Sequence, residues 1–208
     1  GLAEHVLNLV ASGLCRTDTE IRSLLLRSYT GTLCWQGGGR EEAFDAKLAE
    51  GLRRCLAGGL IAQRGGRLEA TPLGRTAAAK GITVDTAIQM AEFASAARET
   101  ASDLDPFEVI WHLAGTEDGQ AIYLSLSTQE ARSGEYQEMA ADALARFPQP
   151  ARARLKEELR GLADYDVVKR VKKTLLLCDW IEGVATRELE SRYHTFSGSI
   201  YGLAGEFS

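Results

Sequence analysis

Apolar residues recur at helical spacing through the first eighty positions. Val6, Leu7, Leu9 and Val10 predict a short amphipathic helix over 2–12, ended at Gly13. Thr17 followed by Glu20 is a capping-box pattern, a hydroxyl at the N-cap and a carboxylate three residues on. The helix it starts carries Ile21, Leu24, Leu25 and Ser28 on one face. Trp35 to Arg40 contains three consecutive glycines, which predicts a flexible loop. From Glu41 the face Phe44, Leu48, Leu52, Cys55 and Leu56 predicts a third helix over 41–57, stopped by Gly58 and Gly59.

Two short runs follow, Leu60 to Gln63 and Leu68 to Thr71. Gly65 and Gly66 separate them, with Arg64 and Arg67 on either side, and this predicts a β-hairpin. Thr71 then caps a helix with Pro72 in its first turn, ending near Gly81. Three helices and a two-stranded wing are the element order of a winged helix. The helix over 41–57 would take the position that enters the major groove in DNA-binding members.

The rest of the chain reads as helical at about 84–101, 105–115, 128–147, 150–163, 165–182, 186–194 and 199–208. Ser127 and Glu130 form a second capping box, and Pro148 and Pro150 separate two helices. In 116–127 the alternation of Ile122, Leu124 and Leu126 leaves a short strand open. The fold class expected is mainly α, a winged helix over 1–81 followed by an all-helical bundle over 82–208.

Composition narrows the function classes. The 208 residues are 45% hydrophobic, enough for one large core or two modest ones. No run approaches the roughly 20 apolar residues of a membrane span, and no basic leader opens the chain. A first residue of Gly suggests an excised piece of a longer protein. The four cysteines, at 15, 34, 55 and 178, have no Cys-x-x-Cys pair, which points to reduced thiols in a cytoplasmic protein. The net charge of −5 argues against a self-sufficient nucleic-acid binder, so any such contact must come from local patches.

Several phrases in order resemble the C-terminal half of Ski-like superfamily-two helicases, above all the archaeal Hjm-type repair helicases. Leu7 to Gly13 with Thr17 to Glu20 resembles the start of their winged helix, and Leu68 to Arg75 resembles the wing and the helix after it. Lys173 to Glu182 is the most specific match, followed by Arg187 to Tyr193 and Gly198 to Ile200. The resemblance implies two motor domains elsewhere, a winged helix, and a helical ratchet bundle whose long helix stacks side chains on the bases of a single strand. That helix would start near Ser199. Where the family has an Arg, this chain reads Tyr201 and Gly202. The implied partners are a single-stranded or branched nucleic acid, DNA rather than RNA, and the motor in cis, in a monomer without membrane contact.

The motor's own signatures do not occur. The sequence has no Gly-x-x-x-x-Gly-Lys-Ser/Thr loop and no Asp-Glu-x-His box, so ATP and Mg are expected only in the motor domains and no cofactor is expected in this chain. Candidate strand contacts are the basic run Lys169, Lys172 and Lys173, which shares one helical face, with Val168, Val171 and Leu175 on another. Tyr201 could stack on a base. Arg64 and Arg67 at the wing tip could meet phosphates, and so could Arg53 and Arg54, with Lys47, on the third helix. The plainer alternatives are a solvated face for the lysines, a solvated face or a surface docked on the motor for the third helix, ordinary turn residues for Arg64 and Arg67, and a partly exposed helix-start tyrosine for Tyr201. Trp111 and Trp180 are expected in the core, and Trp35, beside the glycine loop, is the strongest candidate of the three for exposure. The rival function is a winged-helix transcription regulator with a helical effector or dimerisation domain, which would bind a palindromic site.

Overall fold

The computed structural model describes residues 1–35, 40–99, 104–147, 149–159 and 164–207. Among these the chain is mainly helical, with one two-stranded antiparallel sheet. It divides into two compact units, 1–95 and 96–208.

The first unit contains α1 (Leu2–Ala11), α2 (Asp18–Arg27), α3 (Tyr29–Cys34), α4 (Arg40–Ala57), β1 (Ile61–Arg64), β2 (Arg67–Ala70), α5 (Pro72–Lys80) and the start of α6 (Val84–Glu99). Both halves of the Thr17–Glu20 capping box form at α2. Thr71 accepts from the Gly74 amide and Pro72 opens α5, which ends at Gly81 in the left-handed conformation. Val6, Leu7, Ile21, Phe44, Cys55 and Leu60 are buried together. Gly51 lets α4 lie close on α1, because a Cβ there would stand 3.3 Å from the Cα of Ala3.

Three features of this unit differ from the sequence reading. Ser28 ends α2 and at once caps the short helix α3, accepting from the Gly31 amide at 3.0 Å. The helix over 41–57 is therefore the fourth rather than the third. Leu24 is exposed, and Ile21 and Leu26 are the residues of α2 that enter the core. The unit also runs past residue 81, because Val84 and Ala87 of α6 are buried in the same core. The glycine run at 37–39, expected as a loop, lies outside the described residues, as does Pro148.

The second unit contains α7 (Pro106–Gly115), α8 (Glu117–Ala121), α9 (Thr128–Ser133), α10 (Glu135–Ala145), α11 (Gln149–Glu158), α12 (Tyr165–Ile181), α13 (Thr186–Arg192) and α14 (Ser197–Glu206). Its axis is α12, which packs against α7, α9, α10, α13 and α14. Every residue from Val171 to Cys178 is buried. The single helix expected over 128–147 is two. The Ser127–Glu130 capping box starts α9, and Gly134, at φ 82°, ends it and begins α10. Segment 116–127 is a helical turn followed by extended chain rather than a strand, with Leu124 and Leu126 buried.

Candidate nucleic-acid interface

The hairpin turns on Gly65 and Gly66, at φ 56° and 77°, as a two-residue turn with both residues left-handed requires. The register sets Arg64 directly opposite Arg67. Like charges facing each other across a ladder disfavour the pair, so the hairpin tip is electrostatically suited to an anion. Two further arginines join them that the sequence reading missed. Arg16 and Arg75 line a hollow of about 320 Å³ with Arg67, and Glu69 is its one carboxylate. The Leu68 amide donates to Arg16 O (2.8 Å), and Arg75 Nη1 donates to Ala70 O (2.6 Å). In sequence Arg16 is far from Arg67 and Arg75. Only the return of the hairpin beside the α1–α2 loop brings them together.

The cations of α4 are used within the chain. Arg53 grips Glu50 through two bonds of 2.8 and 2.6 Å, and Arg54 is paired with Asp85 at the start of α6. Lys47 Nζ stands 5.1 Å from the Trp35 ring centroid. Trp35 itself is partly buried, its ring centroid 5.6 Å from that of Phe44. Arg53 and Arg54 are thus each compensated by a carboxylate of this chain.

The basic run of α12 does not form a surface stripe. Lys172 is 0% exposed and Lys173 2%. Lys172 Nζ donates to Ser125 O and to Glu130 Oε1, both at 2.7 Å. Lys173 Nζ donates to Gly119 O at 2.7 Å, where it meets the carbonyls at the end of α8. The physical reason is that α12 is the central helix of its unit. Long lysine stems cross the apolar layer, and the ammonium groups find carbonyls and a carboxylate beyond it. Val168, Val171 and Leu175 are buried as the spacing implies. Of the three lysines only Lys169 keeps partial exposure.

Polar groups tie this core together. Burial pushes the Glu130 carboxyl upward, but Lys172, Ser127 and Tyr136 outweigh it and hold it down at about 2. Tyr193 donates to Asp179 Oδ2 (2.6 Å), and its ring stacks on Tyr136 with centroids 6.3 Å apart. Trp111 is fully buried and its Nε1 donates to Glu158 Oε2 at 2.5 Å, so Glu158 ties α11 to α7.

The last helix presents an open face. Gly198, Gly202 and Gly205 have nothing within 4 Å of where a Cβ would stand. Tyr201 shares that face (i+3 from Gly198) and is 57% exposed. Its ring meets Trp180 edge-on, 5.2 Å between centroids and 84° between planes. Trp180 packs against the core of the second unit, as expected, and its partly buried ring forms this bracket. Ile200 and Leu203 anchor the opposite side of α14.

Among the described residues no three His, Cys, Asp or Glu side chains are grouped to hold a metal ion. Burial pushes the Cys55 thiol up to about 11 and the Cys178 thiol up to about 12, away from the thiolate a nucleophile needs. No helix among the described residues is long and apolar enough to cross a membrane. The chain matches no protein-family model and no curated protein.

Proposed function

We propose that this chain is the strand-guiding accessory region of an ATP-dependent superfamily-two helicase, with the ATPase motor in domains outside it. The first unit is read as a winged helix and the second as part of a ratchet bundle. The observation that carries the reading is Tyr201, an exposed aromatic braced edge-on by Trp180 on a helix face otherwise made of glycine. Such a face lets a strand come close to the helix while one ring offers a surface to a base. Base–aromatic stacking of this kind is tolerant of sequence, as a translocating strand requires.

Two further features support it. The first unit places four helices before a two-stranded hairpin, an order that this reading takes as a winged helix with the short α3 inserted. The hairpin tip sets Arg64 against Arg67, and Arg67 also lines a hollow with Arg16 and Arg75, where phosphates would be met regardless of sequence. ATP and Mg belong to the motor in this reading, and the strand is DNA. The test is titration of a fluorescent single-stranded DNA with the chain. Salt-sensitive, sequence-tolerant binding by a monomer supports the reading. Tight binding of a palindromic duplex by a dimer would favour the regulator instead.

A further inference from the structure

A second basic hollow lies in the other unit, where the N-terminal half of α12 meets α7 and α8. It has a volume of about 250 Å³, and its walls include Lys169, Arg170, Lys173, Gln120 and Asp166. Three cations and one carboxylate line it, and the Glu158 carboxylate also acts on Arg170, which leaves an excess of one positive charge (3 − 2 = 1) in a chain whose net charge is −5. None of the three cations takes part in an ion pair among the described residues.

Each cation is held in place. Arg170 lies over the Trp111 ring, its Cζ 3.7 Å from the centroid, and donates to Trp111 O through Nε (2.8 Å) and Nη2 (2.6 Å). That leaves the rest of its five-donor fork for another acceptor. Gly115 makes the position accessible, since a Cβ there would stand 2.4 Å from Arg170 Cζ. Lys173 supplies charge from beneath, its ammonium fixed on Gly119 O. Burial, and then the like charge of Lys169, push Lys173 down to about 8. Lys169 Nζ is 5.6 Å from the centroid of Tyr123, a ring that is 74% exposed.

Cations crowded into a partly buried hollow with carboxylates too few to balance them are costly, and an oxyanion would relieve both the burial and the mutual repulsion. A phosphomonoester carries about −1.5 to −2 at neutral pH, and a mid-strand phosphodiester only about −1. We propose that this pocket binds the terminal phosphate of a nucleotide, with Tyr123 beside it to receive the base. The site is separate from α14 and does not depend on strand guiding, because a mononucleotide offers no strand to hold.

The experiment is calorimetric titration of the chain with inorganic phosphate, with AMP, and with a short oligothymidylate carrying or lacking a 5′-phosphate. Saturable binding of phosphate is expected, with AMP at least about fivefold tighter through stacking. Tyr123→Ala removes that AMP advantage. Lys169→Gln lowers AMP affinity roughly tenfold, the loss of one charged hydrogen bond, and Lys169→Arg restores it. Lys169 is partly exposed, so the variant should retain the wild-type melting curve. Competition by the 5′-phosphorylated strand assigns the phosphate to a strand end, and its failure assigns it to a free nucleotide. Failure of both phosphate and AMP to saturate would overturn the proposal. So would equal affinity of wild type and Lys169→Gln, or equal binding of AMP and its methyl phosphodiester.

Discussion

Lys172 Nζ lies 2.7 Å from Glu130 Oε1, joining the central helix of the second unit to the capping box of α9. Lys172 is fully buried and the Glu130 side chain is 14% exposed. A pair so placed is costly to bury but more costly to break, because either partner alone leaves an uncompensated charge.

The pair makes stability depend on acid. Glu130 falls from an ordinary 4.5 to about 2 in the folded chain. A depressed carboxyl stabilises above its unfolded value and loses that contribution as pH falls through the folded one. The second unit should therefore lose on the order of 3 kcal/mol between about pH 4.5 and pH 2. Urea melts followed by tyrosine and tryptophan fluorescence check this. Glu130→Gln should be less stable at pH 7 and show a flatter acid limb, and an acid limb identical to wild type would contradict the assignment.

The lysines of α12 should separate cleanly in a stability series. Lys172→Gln should cost about 3–5 kcal/mol, as for a broken buried pair. Lys169→Gln should stay within about 0.5 kcal/mol of wild type, as a partly exposed position does. Thermal denaturation by circular dichroism measures both. Equal melting temperatures for the two variants would mean that Lys172 is not held as described.

How far the sequence was legible follows from these lysines. Periodicity located α1, α4 and the hairpin because each has an apolar face and clear glycine punctuation, and it located α12 from its apolar run. It misplaced Lys172 and Lys173 because a charge at i, i+3 and i+4 reads as solvent-facing. On a helix surrounded by others there is no solvent face, and the partners that accept the ammonium groups, Gly119 O and Glu130, lie 54 and 42 residues away. The break at Gly134 was legible in principle, since the capping box at Ser127 starts a helix and the glycine can end it. The arginine hollow around Arg67 was not, because only the tertiary return of the hairpin assembles it.

The hairpin arginines should govern the salt dependence of strand binding. Replacing Arg64 and Arg67 with Gln leaves two phosphates without a cationic partner. On single strands the slope of log affinity against log salt should flatten by about 0.7 for each phosphate no longer neutralised. Anisotropy titrations across a salt series read it. An unchanged slope would leave these residues as ordinary turn cations.

The central claim is that the glycine face of α14, with Tyr201 braced on Trp180, holds a single strand. The most direct measurement is the affinity of wild type and Tyr201→Ala for a fluorescent oligonucleotide at fixed salt. Tyr201 is more than half exposed, so its removal should leave the melting temperature nearly unchanged. Loss of one base–aromatic stack should weaken binding by about 1–3 kcal/mol, equally for oligothymidylate and mixed sequence. Equal affinity of the two proteins, with wild type binding measurably, would contradict the account.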